Sequence, residues 1–158
     1  MYASKTSAQI MALAEMGCIV AGTAPEARVR VVDFSRTLGV AFQILDDIRG
    51  LQPAPGSTKT VGEDIILGKL TYLNHAALMA LPPPDRKRLA AILARRLAGK
   101  SPTLREAIGL VERSGAIPAC RAEASAMVLR DWRRLSALIP PSRGKTMLRT
   151  MWTELLAR

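Results

Sequence analysis

No stretch of this 158-residue sequence alternates apolar and polar residues with period two for long enough to make a strand. Apolar residues recur instead three and four apart, which is the spacing of one helix face. That constraint leaves an all-α chain. Aromatic residues are 4% of the composition, which also argues against a sandwich built from Val, Thr and Tyr strands. The spacing predicts helices over about 3–21, 25–49, 70–81, 86–98, 104–114, 117–138 and 142–156. Gly22 ends the first of these ahead of Pro25, a good first-turn residue for the second. Residues 50–57, with Pro53, Pro55 and Gly56, read as a loop, and 61–67 as a short turn. After Pro82-Pro83-Pro84, a tight connection between helices, Asp85 is placed to cap a basic helix that Gly99 stops. Ser101-Pro102-Thr103 opens the next helix and Gly115 closes it.

Hydrophobic residues make up 49% of the chain and charged residues 23%, which suits one ordered domain with a sizeable core. The formal net charge is +10, and it is placed unevenly. Residues 1–81 hold as many acidic as basic side chains, so the whole excess falls in residues 82–158. A basic half suits nucleic acid or an anionic membrane surface. It equally suits a solvated arginine-rich helical face, which the lack of a continuous basic run and of interleaved aromatics favours. Trp132 and Trp152 are expected in the core rather than on a stacking surface. No apolar run reaches the roughly 18 residues of a membrane span. Lys5 and the apolar stretch after it imitate a secretory signal, but Glu15 interrupts that stretch and Pro25 occupies the site of cleavage, so a cytoplasmic location is expected. Cys18, Cys120 and the lone His75 have no metal-ligand spacing, which excludes zinc or a disulfide framework as the organising principle.

The chemistry concentrates in two consecutive segments. In Leu38-Gly39-Val40-Ala41-Phe42-Gln43-Ile44-Leu45-Asp46-Asp47-Ile48, Gln43, Asp46 and Asp47 stand three and four apart and share one face at a helix C-terminus. Carboxylates are disfavoured there by the helix dipole, a cost that a cation would offset. Such oxygens suit Mg²⁺, which takes one or two carboxylates and completes its shell with water and phosphate oxygens. Alone, such a pair is more often a solvated helix end. The segment Lys59-Thr60-Val61-Gly62-Glu63-Asp64-Ile65-Ile66-Leu67-Gly68-Lys69-Leu70-Thr71 then places a further carboxylate between two lysines, with glycines at the turns. Lysine is a compact point charge suited to phosphate oxygens, and glycine permits close backbone approach. Together the two segments describe a mixed site for a metal diphosphate.

Phe42-Gln43-x-x-Asp46-Asp47, Lys59-x-x-Gly62-x-Asp64 and Gly68-Lys69-x-Thr71, in that order, resemble the second aspartate-rich region of trans-type polyprenyl (isoprenyl) diphosphate synthases. Upstream, Tyr2 and Lys5-Thr6 resemble the lysine–threonine pair of that family. Ser114-Gly115-Ala116-Ile117 and the last helix ending in Arg158 resemble its C-terminus. The resemblance implies an isoprenoid-synthase-like helical bundle, C-terminal part only: one partial domain over 1–158, with the second Asp-rich region at 42–71 and C-terminal helices over 84–158.

It also implies a reaction, the head-to-tail condensation of isopentenyl diphosphate with an allylic diphosphate, dependent on Mg²⁺. By the same resemblance Asp46 binds the metal with Asp47 and Asp64 in support. Lys5, Thr6, Lys59 and Lys69 contact diphosphate, and Gln43 lies beside the allylic chain. Two departures bear on activity. The last carboxylate of the family's Asp-Asp-x-x-Asp motif is replaced here by Gly50, and these residues contain no other Asp-Asp pair to match the family's first such motif. A partial transferase, inactive alone, is therefore expected. The alternatives are a non-catalytic partner subunit that modulates a full-length synthase, and a basic helical nucleic-acid binder, which is disfavoured. Without half of the bundle, apolar flanks at Ile10, Leu13, Leu38 and Phe42 are expected to be exposed, and to support a homo- or hetero-oligomer.

Overall fold

The computed structural model describes residues 2–53, 56, 60–97, 99 and 101–157, except for the side chains of 2–6. It is 78% helical, and there is no strand among the described residues. The helices are α1 (Tyr2–Val20), α2 (Pro25–Leu51), α3 (Glu63–Ile66), α4 (Tyr72–Ala80), α5 (Pro83–Leu93), α6 (Pro102–Arg113), α7 (Ala116–Ser136) and α8 (Arg143–Ala157). The all-α expectation holds. The ends of α2 and α5 differ from that reading. Helix α2 continues through Gly50 to Leu51 instead of stopping at 49. Helix α5 begins at Pro83, because proline tolerates the first turn of a helix, where no N–H partner is needed. Asp85 therefore lies inside the first turn instead of capping it, where its charge still meets the positive end of the helix dipole. Helix α5 also stops at Leu93, well before Gly99.

The chain divides into two compact units, Met1–Gln43 with Glu123–Arg158, and Ile44–Ala122; α2 and α7 contribute residues to both. In the first unit Phe34, Leu38, Ala41, Val128, Trp132, Leu135 and Trp152 are buried. Phe34 and Trp132 meet at 5.6 Å between ring centroids, and Trp132 and Trp152 at 5.7 Å, both tilted, the offset geometry that aromatic quadrupoles favour. Both tryptophans are thus core residues, as expected. Ile10, Leu13 and Phe42 are exposed as expected, but Leu38 is buried because it continues the core-facing row of Phe34 and Ala41. Along α1, Leu13, Met16, Ile19 and Val20 are all more than half exposed. Among the described residues no helix is long and apolar enough to cross a membrane. Cys18 and Cys120 are both buried and free.

On the same unit the Asp131 carboxylate accepts a hydrogen bond from Arg130 Nε at 2.9 Å and another from the Thr37 hydroxyl at 2.6 Å. The Arg130 hydrogen bond, helped by Thr37 and the charge of Arg134, holds this carboxyl below the ordinary aspartate value of 3.8, against an opposing effect of burial. A carboxyl whose folded pKa is depressed contributes stability that is present above its unfolded value and is lost as pH falls through the folded one. Asp131→Asn is accordingly expected to lower stability near neutrality by about 1 kcal/mol. It should also flatten the fall in helical circular dichroism below pH 3.8 relative to the parent. An unchanged acid limb would assign the acid sensitivity to other carboxylates.

In the second unit, helices α4, α5 and α6 pack on one another, and the short α3 packs on α5 and α6. Leu73, Ala77, Leu89, Ile92, Leu110 and Val111 fill the centre. Helix α6 opens at Ser101-Pro102-Thr103 as expected but starts at Pro102 rather than 104, with Ser101 as its cap, the hydroxyl accepting from Leu104 N–H at 3.1 Å. This packing supports the polar turn between α2 and α4.

Candidate functional site

Asp46 and Asp47 are half-buried at the C-terminal end of α2. The turn that follows is tied back to that end: Gly62 N–H donates to the Gly50 carbonyl at 2.8 Å, which satisfies one of the helix's last acceptors. Gly62 itself has φ 74°, a left-handed conformation that favours glycine. Its Cα faces the Leu104 side chain, so a methyl group would meet Leu104 Cδ1 at 2.9 Å.

Helix α3 then presents Asp64, and the backbone curls so that Lys69 N–H donates to the Asp64 carbonyl at 2.8 Å. The Lys69 ammonium returns to the Asp64 carboxylate, also at 2.8 Å. The hydrogen bond to Asp64 is the main cause of a raised Lys69 pKa, and the charges of Glu63 and Asp47 add to it. A raised ammonium pKa means that the Lys69 ammonium's contribution is fully present about a unit below 10.5 and is lost as pH rises through the higher folded value. The Lys69 carbonyl accepts from the Asn74 side-chain amide at 3.0 Å, while Asn74 N–H donates to the Thr71 hydroxyl at 3.2 Å, the N-cap of α4. Asn74 is buried, and its two bonds fix the Lys69 turn against the start of α4.

These groups line one cavity of about 190 Å³ whose wall includes Asp46, Asp47, Glu63, Asp64, Lys69 and Gly50. Four carboxylates face one ammonium there, so the cavity attracts cations and repels a bare diphosphate. Among the described residues no three carboxylate, histidine or cysteine groups converge closely enough to hold an ion by themselves. A hard cation therefore fits this wall only when phosphate or water oxygens complete its shell, which is how Mg²⁺ commonly binds. A methyl group at Gly50 would stand 4.0 Å from Asp64 Oδ2, so the space a further carboxylate would enter is open.

Of the residues singled out from sequence, Asp46, Asp47, Asp64 and Lys69 come together. Gln43 is half-buried on α2 and belongs to the first unit. Lys59 and Arg158 lie outside the described residues, as do the side chains of Lys5 and Thr6. Glu63 and Asn74 were not singled out. Glu63 stood directly beside Asp64, and Asn74 stood three after the capping Thr71, the spacing at which a cap meets its N–H.

The model for the polyprenyl synthetase family matches residues 1–111. The chain belongs to that family. Over 117 residues it is 38% identical to the short chain isoprenyl diphosphate synthase of Methanothermobacter thermautotrophicus, an alignment that covers 73% of this chain and 35% of that protein. The geranylgeranyl pyrophosphate synthetase structure from Pyrococcus horikoshii superposes with a TM-score of 0.84 at 28% identity, covering 100% of this chain and 47% of the other. A decaprenyl diphosphate synthase from Rhodobacter capsulatus shares the fold, with a TM-score of 0.85 at 23% identity over 99% of this chain and 48% of the other. The chain thus spans about half the length of these solved synthases.

Proposed function

We propose that this chain carries the second-aspartate-region half of a trans-prenyltransferase site, which binds an allylic diphosphate together with Mg²⁺. The observation that supports the reading is the convergence of Asp46, Asp47, Asp64 and Lys69 on one cavity. Asp46 and Asp47 hold the metal through hard oxygen donors at a helix end whose dipole disfavours unneutralised carboxylates. Bound Mg²⁺ supplies Lewis-acid stabilisation of the leaving diphosphate. Asp64 fixes the Lys69 ammonium in its charged form, and Lys69 then offers a point charge to a phosphate oxygen. Lys59 is assigned the same role, and Lys5 with Thr6 a diphosphate contact. Gln43 lies beside the allylic chain. In the whole reaction, isopentenyl diphosphate condenses head to tail with the allylic cation and loses a proton. These 158 residues hold a single Asp-Asp pair, so a polypeptide of these residues alone clamps the diphosphate from one side.

Calorimetric titration with inorganic pyrophosphate tests the reading. Binding at this cavity is expected in Mg²⁺ and absent in EDTA, because four carboxylates otherwise repel the anion. Asp46→Asn should weaken the Mg²⁺-dependent binding by about tenfold or more, whereas Gly50→Asp should tighten it by adding a ligand opposite Asp64. Radiolabelled isopentenyl incorporation with geranyl or farnesyl diphosphate is expected to be nil for the chain alone. Robust product from the chain alone would overturn the half-site reading. Altered product length only in a mixture with a full-length synthase would favour a partner-subunit role instead.

A further inference from the structure

The first unit holds a second polar cavity, of about 180 Å³, between α2 and α7. Its wall carries four guanidiniums, from Arg30, Arg36, Arg130 and Arg134, against two carboxylates, Asp33 and Asp131. The two carboxylates do not satisfy the four cations. Arg30 and Arg36 reach Asp33 only at 4.0 and 3.8 Å, and Arg134 reaches Asp131 at 3.6 Å, all beyond good hydrogen-bond length. Arg130 alone bonds its carboxylate closely, at 2.9 Å, and the same Asp131 is turned by the Thr37 hydroxyl. Arg130 and Arg134 are four apart on α7, a like-charge spacing that weakens a helix unless something neutralises it.

We infer that this arginine cluster is a binding site for a phosphate or diphosphate group, separate in its residues from the aspartate-rich cavity. Guanidinium groups present paired N–H donors in a fixed fork that matches phosphate oxygens two at a time, which an ammonium cannot do. The side chains come from both walls, so one tetrahedral oxyanion can bridge α2 and α7. The cavity lies below the range of about 300–1,000 Å³ typical of drug-sized ligands and suits a compact anion. Its net positive charge is opposite in sign to that of the aspartate-rich cavity, and so is its expected dependence on metal. Mg²⁺ is not needed here, because the guanidiniums supply the countercharge.

The test is titration of the folded chain with inorganic pyrophosphate in EDTA, at constant ionic strength set with chloride. Saturable, salt-sensitive binding is expected. Arg30→Gln with Arg134→Gln should weaken it about tenfold, since two charge-assisted contacts are removed while glutamine keeps helix propensity. Lys69→Gln should leave it unchanged. Asp33→Asn removes a repelling carboxylate and should tighten binding, a gain that general damage to the fold would not produce. Vesicles of phosphatidylcholine with phosphatidic acid present the same phosphate on a lipid, and binding to these in place of pyrophosphate would assign the headgroup as the source. Absence of saturable binding to either probe, or binding indifferent to the Arg30/Arg134 pair, would overturn the inference.

Discussion

Gly68→Ala is expected to cost about 3 kcal/mol of stability and to remove the Mg²⁺-dependent affinity for pyrophosphate with it. Two effects combine at this position. Gly68 has φ 64°, and the left-handed region costs an ordinary residue about 1–2 kcal/mol. The added methyl would also stand 2.7 Å from the Leu93 carbonyl oxygen, a backbone atom at the end of α5 that has no side-chain freedom to move away. The same strip of chain is held there by Leu97 N–H, which donates to the Ile66 carbonyl at 3.0 Å. Displacing Gly68 moves Lys69, the adjacent residue, away from Asp64. Gly115 is the internal control. Its φ of 74° is similar, but nothing lies within 4 Å of an added methyl, so Gly115→Ala should show the backbone cost alone. Urea unfolding compares the two variants. Equal losses would remove the Leu93 contact from the account, and retained Mg²⁺-dependent pyrophosphate affinity in Gly68→Ala would detach Lys69 from binding.

This contact also marks the boundary of what a sequence can convey. Helix periodicity, the stop at Gly22, the helix opening at Ser101-Pro102-Thr103 and the helix end at Gly115 are local features, and each was legible from its neighbours. The grouping of Asp46, Asp47, Asp64 and Lys69 was legible because 24 residues hold all four and their order matches a known motif. Two further features needed packing. Gly50 reads as a loop residue, yet α2 continues through it, with its carbonyl taken by Gly62 N–H. Asn74 reads as an ordinary polar residue of α4, and its role depends on the Lys69 carbonyl that the turn brings to it. The arginine cluster was the least visible. Thr37 and Asp131 are 94 residues apart, and the basic excess of the second half carries no signal of which helix α7 faces.

Gly39→Ala is expected to have the largest effect on the first unit, at least about 3 kcal/mol, because no side-chain rearrangement relieves it. Gly39 is buried within α2, where α1 crosses it at Ser7. A methyl at Gly39 would stand 2.8 Å from the Ser7 Cα, a separation real Cβ atoms essentially never adopt, so the backbones of the two helices must part. Glycine in a helix interior costs roughly 0.5–1 kcal/mol relative to alanine, so propensity alone predicts that Gly39→Ala stabilises. The sign of the measured change therefore decides between helix propensity and close approach. Ser7→Gly in the same chain removes the obstructing Ser7 Oγ and Cβ but leaves the Ser7 Cα in place, so it should recover only part of the loss. Tryptophan emission is a suitable reporter, because Trp132 and Trp152 both sit in the core of this unit. A lower urea midpoint with altered emission is the expected result. Lys5 and Thr6 immediately precede Ser7, so a shift of α1 also moves the segment assigned to the diphosphate. A higher midpoint with unchanged emission would mean that α1 does not cross α2 at this distance.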